Sequence, residues 1–293
     1  MSDPAHTGSG ADSAPEPTDL VTPEWLEANR HRDIRLIEIA GMGQDDLSAY
    51  RAGHVPGARA WKWKKALWDA RMREFPSPEE FARRMGAAGI GNDTIVVFYG
   101  EGIQFGVYAW WTLRYCGHAD VRLLDGGRKR WLAEGRALTT EVPEAPAPRA
   151  YHPTPRREEM RILRDRVVAL LGNPEIAIVD ARSPEEYRGE RVGGPGGPDV
   201  GAVRPGRIPG ARHLFYMDLF DETQSFKPKA EIAAMAAERG LSPEKATIAY
   251  CRMSHRATVA YFALTQLLGY PDVRVYDGSW TEWGNLVGVP IER

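Results

Sequence analysis

Cys251 opens the run Cys251-Arg252-Met253-Ser254-His255-Arg256, which leads through Ala257 into the apolar stretch Thr258-Val259-Ala260-Tyr261-Phe262-Ala263-Leu264. The preceding Ala246-Thr247-Ile248-Ala249-Tyr250 reads as a strand and the following stretch as a helix. A loop from the carboxyl end of a strand to the amino end of a helix is where open α/β sheets bind ligands. Unpaired N–H groups and the positive end of the helix dipole point into such a loop. Arg252, His255 and Arg256 add positive charge, and together these effects favour the thiolate, the form of cysteine that attacks. Spacing then narrows the chemistry. A cysteine phosphatase needs five residues between its nucleophile and an arginine, which would put arginine at Ala257, yet the arginine is one position earlier, at Arg256. The tighter ring aims its N–H groups at a single added sulfur atom more readily than at a tetrahedral oxyanion, so the residues point to a cysteine that carries a persulfide. Cys116 ends an apolar helical stretch from Gly106 to Tyr115 with no basic cluster beside it, and reads as packing.

The elements that must position this loop occur twice. Arg35-Leu36-Ile37-Glu38-Ile39 and then Gly53 to Arg59 in the first half match Ile176-Ala177-Ile178-Val179-Asp180 and Gly206 to Arg212 in the second. Thr94 to Tyr99 matches Ala246 to Tyr250, Asp120 to Gly126 matches Asp272 to Gly278, and Trp131 matches Trp283. The repeat has the size of a domain, and its β-branched runs alternate with helical patterns, which predicts two α/β domains with doubly wound, mostly parallel sheets. Helix starts are marked by Thr22-Pro23, by Ser77-Pro78-Glu79-Glu80 and by Ser183-Pro184-Glu185-Glu186. Residues 1–19 read as a disordered tail, 20–140 as the first domain, 141–157, with its prolines, as a surface linker, and 158–293 as the second domain. Duplication also works as a filter. The two tryptophans and the paired Pro-Gly-Ala and Asp-Gly turns serve the fold, whereas the first-half counterpart of the cysteine loop, Gly100-Glu101-Gly102-Ile103-Gln104-Phe105, has no nucleophile.

Composition removes other function classes. With 38 basic and 40 acidic residues in 293, the net charge of -2 has no bulk attraction for nucleic acid or anionic lipid. Two cysteines cannot build a disulfide framework or a four-thiolate zinc site. The histidines lack metal-ligand spacing, so neither metal nor cofactor is expected. No apolar run is long enough to span a membrane and the first 19 residues do not form a secretory signal, so a soluble cytoplasmic protein is expected. Gly193-Gly194-Pro195-Gly196-Gly197-Pro198 lacks the Gly-Lys-Ser/Thr ending of a phosphate loop and reads as a flexible rim beside the cysteine. Trp61-Lys62-Trp63-Lys64-Lys65 reads as packing against the second domain rather than as a platform for single-stranded nucleic acid.

The cysteine loop, the phrase Asp180-Ala181-Arg182-Ser183-Pro184-Glu185-Glu186-Tyr187, the turn Gly206 to Ala211 and the ending Tyr276-Asp277-Gly278-Ser279-Trp280-Thr281-Glu282-Trp283-Gly284 resemble those of the two-domain rhodaneses, the thiosulfate and 3-mercaptopyruvate sulfurtransferases. The likeness runs from Leu20 to Ile291. It implies tandem rhodanese-like domains, a catalytically silent first domain, an active site between the two, and a Cys251 persulfide that takes sulfur from a small anionic donor and passes it to a thiophilic acceptor such as cyanide or a thiol. The family's usual loop is Cys-Arg-x-Gly-x-Arg, or Cys-Gly-Ser-Gly plus an aliphatic residue in mercaptopyruvate enzymes. This chain follows the arginine type, so Arg252 and Arg256 are expected to orient the donor within a substrate loop that includes Met253, Ser254 and His255. Thiosulfate is the expected donor because a dianion suits the arginines, with 3-mercaptopyruvate next and a noncatalytic anion- or protein-binding module as the other alternative. Ser254 replaces the usual glycine, and a positive φ there would cost about 1 kcal/mol. His255 is either a solvated loop residue or a group titrating near neutrality that makes transfer pH-dependent. Glu186 stands where animal members carry a substrate-binding arginine, which leaves Arg182, Arg188 and Arg191 as candidates for that role.

Overall fold

The computed structural model describes residues 19–41 and 47–293; the tail expected over 1–19 lies, but for its last residue, outside them. The described residues form two five-stranded sheets in which every neighbouring pair is parallel. The first runs β1 (Leu20–Val21), β5 (Val121–Leu124), β4 (Ile95–Gly100), β2 (Ile34–Ala40), β3 (Arg59–Lys62). The second repeats that order as β6 (Arg161–Ile162), β10 (Val273–Tyr276), β9 (Ala246–Tyr250), β7 (Ile176–Asp180), β8 (Arg212–His213). The central strands β4 and β9 are buried along almost their whole length, which is why they read as continuous apolar runs rather than as alternating ones. The edge strands β1 and β6 have two residues each and carry no pattern a sequence reading could detect.

Helix starts follow the capping residues. Thr22 Oγ1 accepts the Trp25 N–H at 3.1 Å and Ser77 Oγ accepts that of Glu80 at 3.2 Å. Ser183 and Glu186 form a reciprocal capping box. The duplicated tryptophans are buried in equivalent ways, with Trp131 Nε1 donating to the Ala137 carbonyl and Trp283 Nε1 to that of Pro290, each at 2.9 Å. An indole buried with its N–H satisfied is a fold residue, as the repeat indicated.

Helix Ile103–Tyr115, which follows β4, is buried almost all round. Its outer face lies against helix His255–Phe262, which follows β9, with Trp110 and Phe262 ring centroids 4.7 Å apart. One hydrophobic core therefore runs through both domains. Cys116 sits in that core, and burial pushes its thiol up to about 12, so it stays protonated. Residues 143–157 have no helix or strand and are strapped along the first domain: Arg149 N–H donates to Gly86 O, and the buried Tyr151 hydroxyl lies 3.0 Å from His118 Nδ1. Among the described residues no helix is long and apolar enough to cross a membrane.

Trp283→Ala and Trp131→Ala should each lower the unfolding free energy by about 3–5 kcal/mol. A fall in the urea midpoint checks this, and a change within error in either variant would contradict the core assignment.

Candidate active site between the domains

The carboxyl end of β9 is held by Tyr250, whose hydroxyl donates to Asp180 Oδ2 at 2.6 Å and accepts the Ile208 N–H at 3.1 Å. Cys251 follows, almost fully buried, with its N–H donating to Ser279 Oγ at 3.1 Å. The loop then docks on the turn after β10: Trp280 N–H donates to the Cys251 carbonyl at 2.9 Å and Thr281 N–H to that of Arg252 at 3.1 Å. Ser254 has φ 74° and ψ -33°, the positive φ that favours glycine. Its hydroxyl lies 2.6 Å from both the Asp277 main-chain oxygen and Asp277 Oδ1. Among the described residues, the backbone N–H groups of Arg252 to Arg256 meet no acceptor, so the loop presents a set of open donors around the cysteine.

The cysteine lies at the wall of a cleft of about 590 Å³. The first domain contributes Gly41, Glu101, Gly102, Gln104 and Phe105 to it, and the second contributes Phe215, Tyr216, Met217, the rim residues Gly194 and Pro195, and the loop residues Arg252, Met253, His255 and Arg256. The glycine- and proline-rich stretch thus does form a rim of the cleft.

Residues 22–134 and, separately, 163–286 match the rhodanese-like domain family. The chain belongs to the rhodanese family. Among its relatives, "Sulfur carrier protein TtuD" of Thermus thermophilus is 43% identical over 282 residues, which span 94% of this chain and 97% of that protein. A protein of Saccharopolyspora erythraea named "Putative thiosulfate sulfurtransferase" is 42% identical over 94% of this chain and 96% of its own length. Of solved structures, the anaerobic ergothioneine biosynthesis enzyme from Chlorobium limicola, in complex with trimethyl histidine, is similar to this rhodanese with a TM-score of 0.81 and 28% identity, covering 94% of this chain and 70% of that one. These findings make the protein a tandem-domain sulfurtransferase.

Within the rhodanese cleft the loop arginines are not equivalent. Arg256 is clamped by Glu186, Nη1 to Oε2 at 2.5 Å and Nη2 to Oε1 at 2.8 Å, and the carboxylate is fully buried. Glu186 caps its helix, as the sequence predicts, and it also neutralises Arg256, a role that only the approach of the two helix starts creates. Arg252 donates to the Val200 carbonyl at 2.6 Å and has no carboxylate ion-pair partner among the described residues. It is the cleft cation left to meet an anion.

Three of the expected substrate arginines lie elsewhere. Arg182 is fully buried, bonded to both Asp180 oxygens and to the Gly206 carbonyl, with its guanidinium 4.3 Å from the Trp280 ring centroid. It neutralises the buried Asp180 at the end of β7 and does not line the cleft. Arg188 is exposed and pairs with Glu190, Arg191 donates to the Gly197 carbonyl, and neither lines the cleft.

His255 corrects both of its expected readings. Its ring is buried in an aromatic pocket of the first domain, with centroids 4.2 Å from Tyr108, 4.5 Å from Trp63 and 5.1 Å from Phe105. Burial, reinforced by the nearby Arg73, pushes its pKa down to about 3, so the ring is neutral at neutral pH. With Nδ1 2.9 Å from the Met253 carbonyl, Nδ1 carries the proton and Nε2 the lone pair. The Trp61 to Lys65 patch divides accordingly. Trp63 packs on the second domain through His255, while Trp61 packs on Phe98 of its own sheet.

Because the folded pKa of about 3 lies below the ordinary 6.5, the unfolded chain binds the extra proton between these values. The stabilisation is complete above pH 6.5 and is lost progressively as pH falls towards 3. Denaturant melts across this range should show a steeper loss in the intact protein than in His255→Phe, the difference being the histidine's contribution; equal slopes would mean that His255 is protonated in the folded state.

Proposed function

We propose that the protein moves sulfane sulfur from a small anionic donor, thiosulfate first, to a thiophilic acceptor such as cyanide or a thiol through a persulfide on Cys251. The observation that carries this reading is the pairing of Cys251 with the open N–H groups of Arg252 to Arg256 at the cleft wall, in the copy of the domain that alone has a nucleophile. The names of the relatives support the donor class. In the first half-reaction the Cys251 thiolate attacks the outer sulfur of thiosulfate, the S–S bond breaks, and sulfite leaves with the electron pair. In the second, the acceptor attacks the outer sulfur of the persulfide and the Cys251 thiolate departs. Open N–H donors and the helix amino end stabilise the anionic sulfur in both, without reorganising, and Arg252 orients the donor's oxygens.

One observation favours 3-mercaptopyruvate as a second reading. Glu186 cancels Arg256, so a donor with one carboxylate matches the remaining charge of Arg252, and the cleft has room for an organic molecule.

Mass spectrometry after incubation with thiosulfate should find one added sulfur atom on the Cys251 peptide, and Cys251→Ser should lose turnover by at least ~10³-fold. Running 3-mercaptopyruvate in parallel decides between the donors. An unmodified Cys251 with both would exclude the persulfide cycle.

A further inference from the structure

Two adjacent loop residues meet the first domain: the His255 ring packs against its aromatic side chains, and Ser254 bonds Asp277 of its own domain, which the first domain's Arg73 grips. Arg73 of the first domain reaches across to Asp277, with Nη1 2.9 Å from Oδ2, Nη2 3.0 Å from Oδ1 and Nη2 3.1 Å from the main-chain oxygen, and the same Nη2 is 3.5 Å from Ser254 Oγ. Arg161 closes the network from the other side, bonding Asp277 Oδ2 at 2.9 Å and Glu74 of the first domain at 2.7 Å. Asp277 is almost fully buried, so its carboxylate is held by these partners and by the Ser254 hydroxyl, not by water. His255 fills the pocket of Trp63, Phe105 and Tyr108, and the two anchors are joined. Trp68 Nε1 donates to the Tyr108 hydroxyl at 2.7 Å, and the Arg73 guanidinium lies 4.2 Å from the Trp68 ring centroid.

A glycine at position 254 would adopt φ 74° without a steric cost. Serine carries that cost, and what it brings is the hydroxyl that ties the loop to Asp277 and Arg73. We infer that the first domain sets the shape of the sulfur-carrying loop through Ser254 and His255, with Arg73 acting as a positioning residue for Cys251 through Asp277. This rests on Cys251 being the sulfur carrier. The first domain then contributes to catalysis without touching the reacting atoms, by fixing where the open N–H groups between Arg252 and Arg256 point.

The test is a double-mutant cycle on the full chain, with Arg73→Met and Arg73→Lys, each in the wild-type and Ser254→Gly backgrounds, plus Ser254→Ala. Folding is checked by circular dichroism at the assay temperature. Two readouts are taken: steady-state sulfur transfer from thiosulfate, and the rate of Cys251 alkylation by neutral iodoacetamide across pH, which needs no sulfur chemistry. Arg73→Met should lower kcat roughly 10- to 100-fold while changing the donor KM by less than about threefold, and should shift the pH profile of alkylation. Arg73→Lys, which keeps charge but loses the fork, should fall between. Ser254→Ala, which keeps the strain and loses the anchor, should be slower than Ser254→Gly. In the Ser254→Gly background the Arg73→Met effect should shrink to within about threefold, because the route from Arg73 through Asp277 to the Ser254 hydroxyl is already cut. Equal Arg73→Met effects in both backgrounds, or folded Arg73 variants with wild-type kcat and alkylation profile, would overturn the inference. A wild-type protein that alkylates at Cys251 but takes no sulfur from any donor would instead overturn the sulfurtransferase reading, with the alkylation arm still reporting on the clamp.

Discussion

The contact between helix Ile103–Tyr115 and helix His255–Phe262 is the constraint on which the site depends. Each helix follows the central strand of its sheet, so bringing them face to face brings together the carboxyl ends of two parallel sheets. Those ends are where an open α/β sheet exposes loops and helix amino termini. In one copy the loop carries Cys251; in the other it supplies Glu101, Gly102 and Phe105 as the opposite wall. The apolar faces of the two helices are too continuous to be left in water, so the cleft arises as a consequence of burying them.

Charge inside this cleft is more balanced than the density of arginine in the loop indicates. Arg256 is neutralised by Glu186, His255 is held neutral by burial, and Asp277 is surrounded by Arg73 and Arg161. Burial alone would raise the Asp277 carboxyl, but the two guanidinium groups and the Ser254 hydroxyl hold it below its ordinary value, so it remains the anionic centre of the clamp. Arg252 is the loop arginine that has no carboxylate ion-pair partner among the described residues. Several charged groups around the cysteine therefore build the loop, and the electrostatic field offered to a ligand comes mainly from Arg252 and the backbone N–H groups.

Duplication made much of this protein legible in advance. A residue present in both copies had to be explained by something both copies share, and Trp131 and Trp283 are buried with the same kind of hydrogen bond. The loop that differs between copies is the one that carries Cys251, the proposed nucleophile. Spacing along the chain does not reveal the environment that burial gives a side chain, whether its partner is near or far in sequence. Arg182 reads as a ligand for an anion because nothing in the sequence marks Asp180, two residues away, as its buried counterion. His255 looked solvated or titratable because the tryptophan, phenylalanine and tyrosine that enclose it lie more than 140 positions earlier.

The sequence by itself determined the two parallel α/β units, the helix starts and the separation of Cys251 from Cys116, because these follow from local periodicity, capping chemistry and comparison of one half with the other. Only the tertiary structure decided which charges are available and which are spent on one another. It also decided that Ser254 stands at a positive φ with its hydroxyl on Asp277 of its own domain, a pair that Arg73 meets only when the domains are docked. The physical reason is that burial and ion pairing are set by packing in three dimensions, mostly between residues remote in sequence, and no spacing along the chain encodes them.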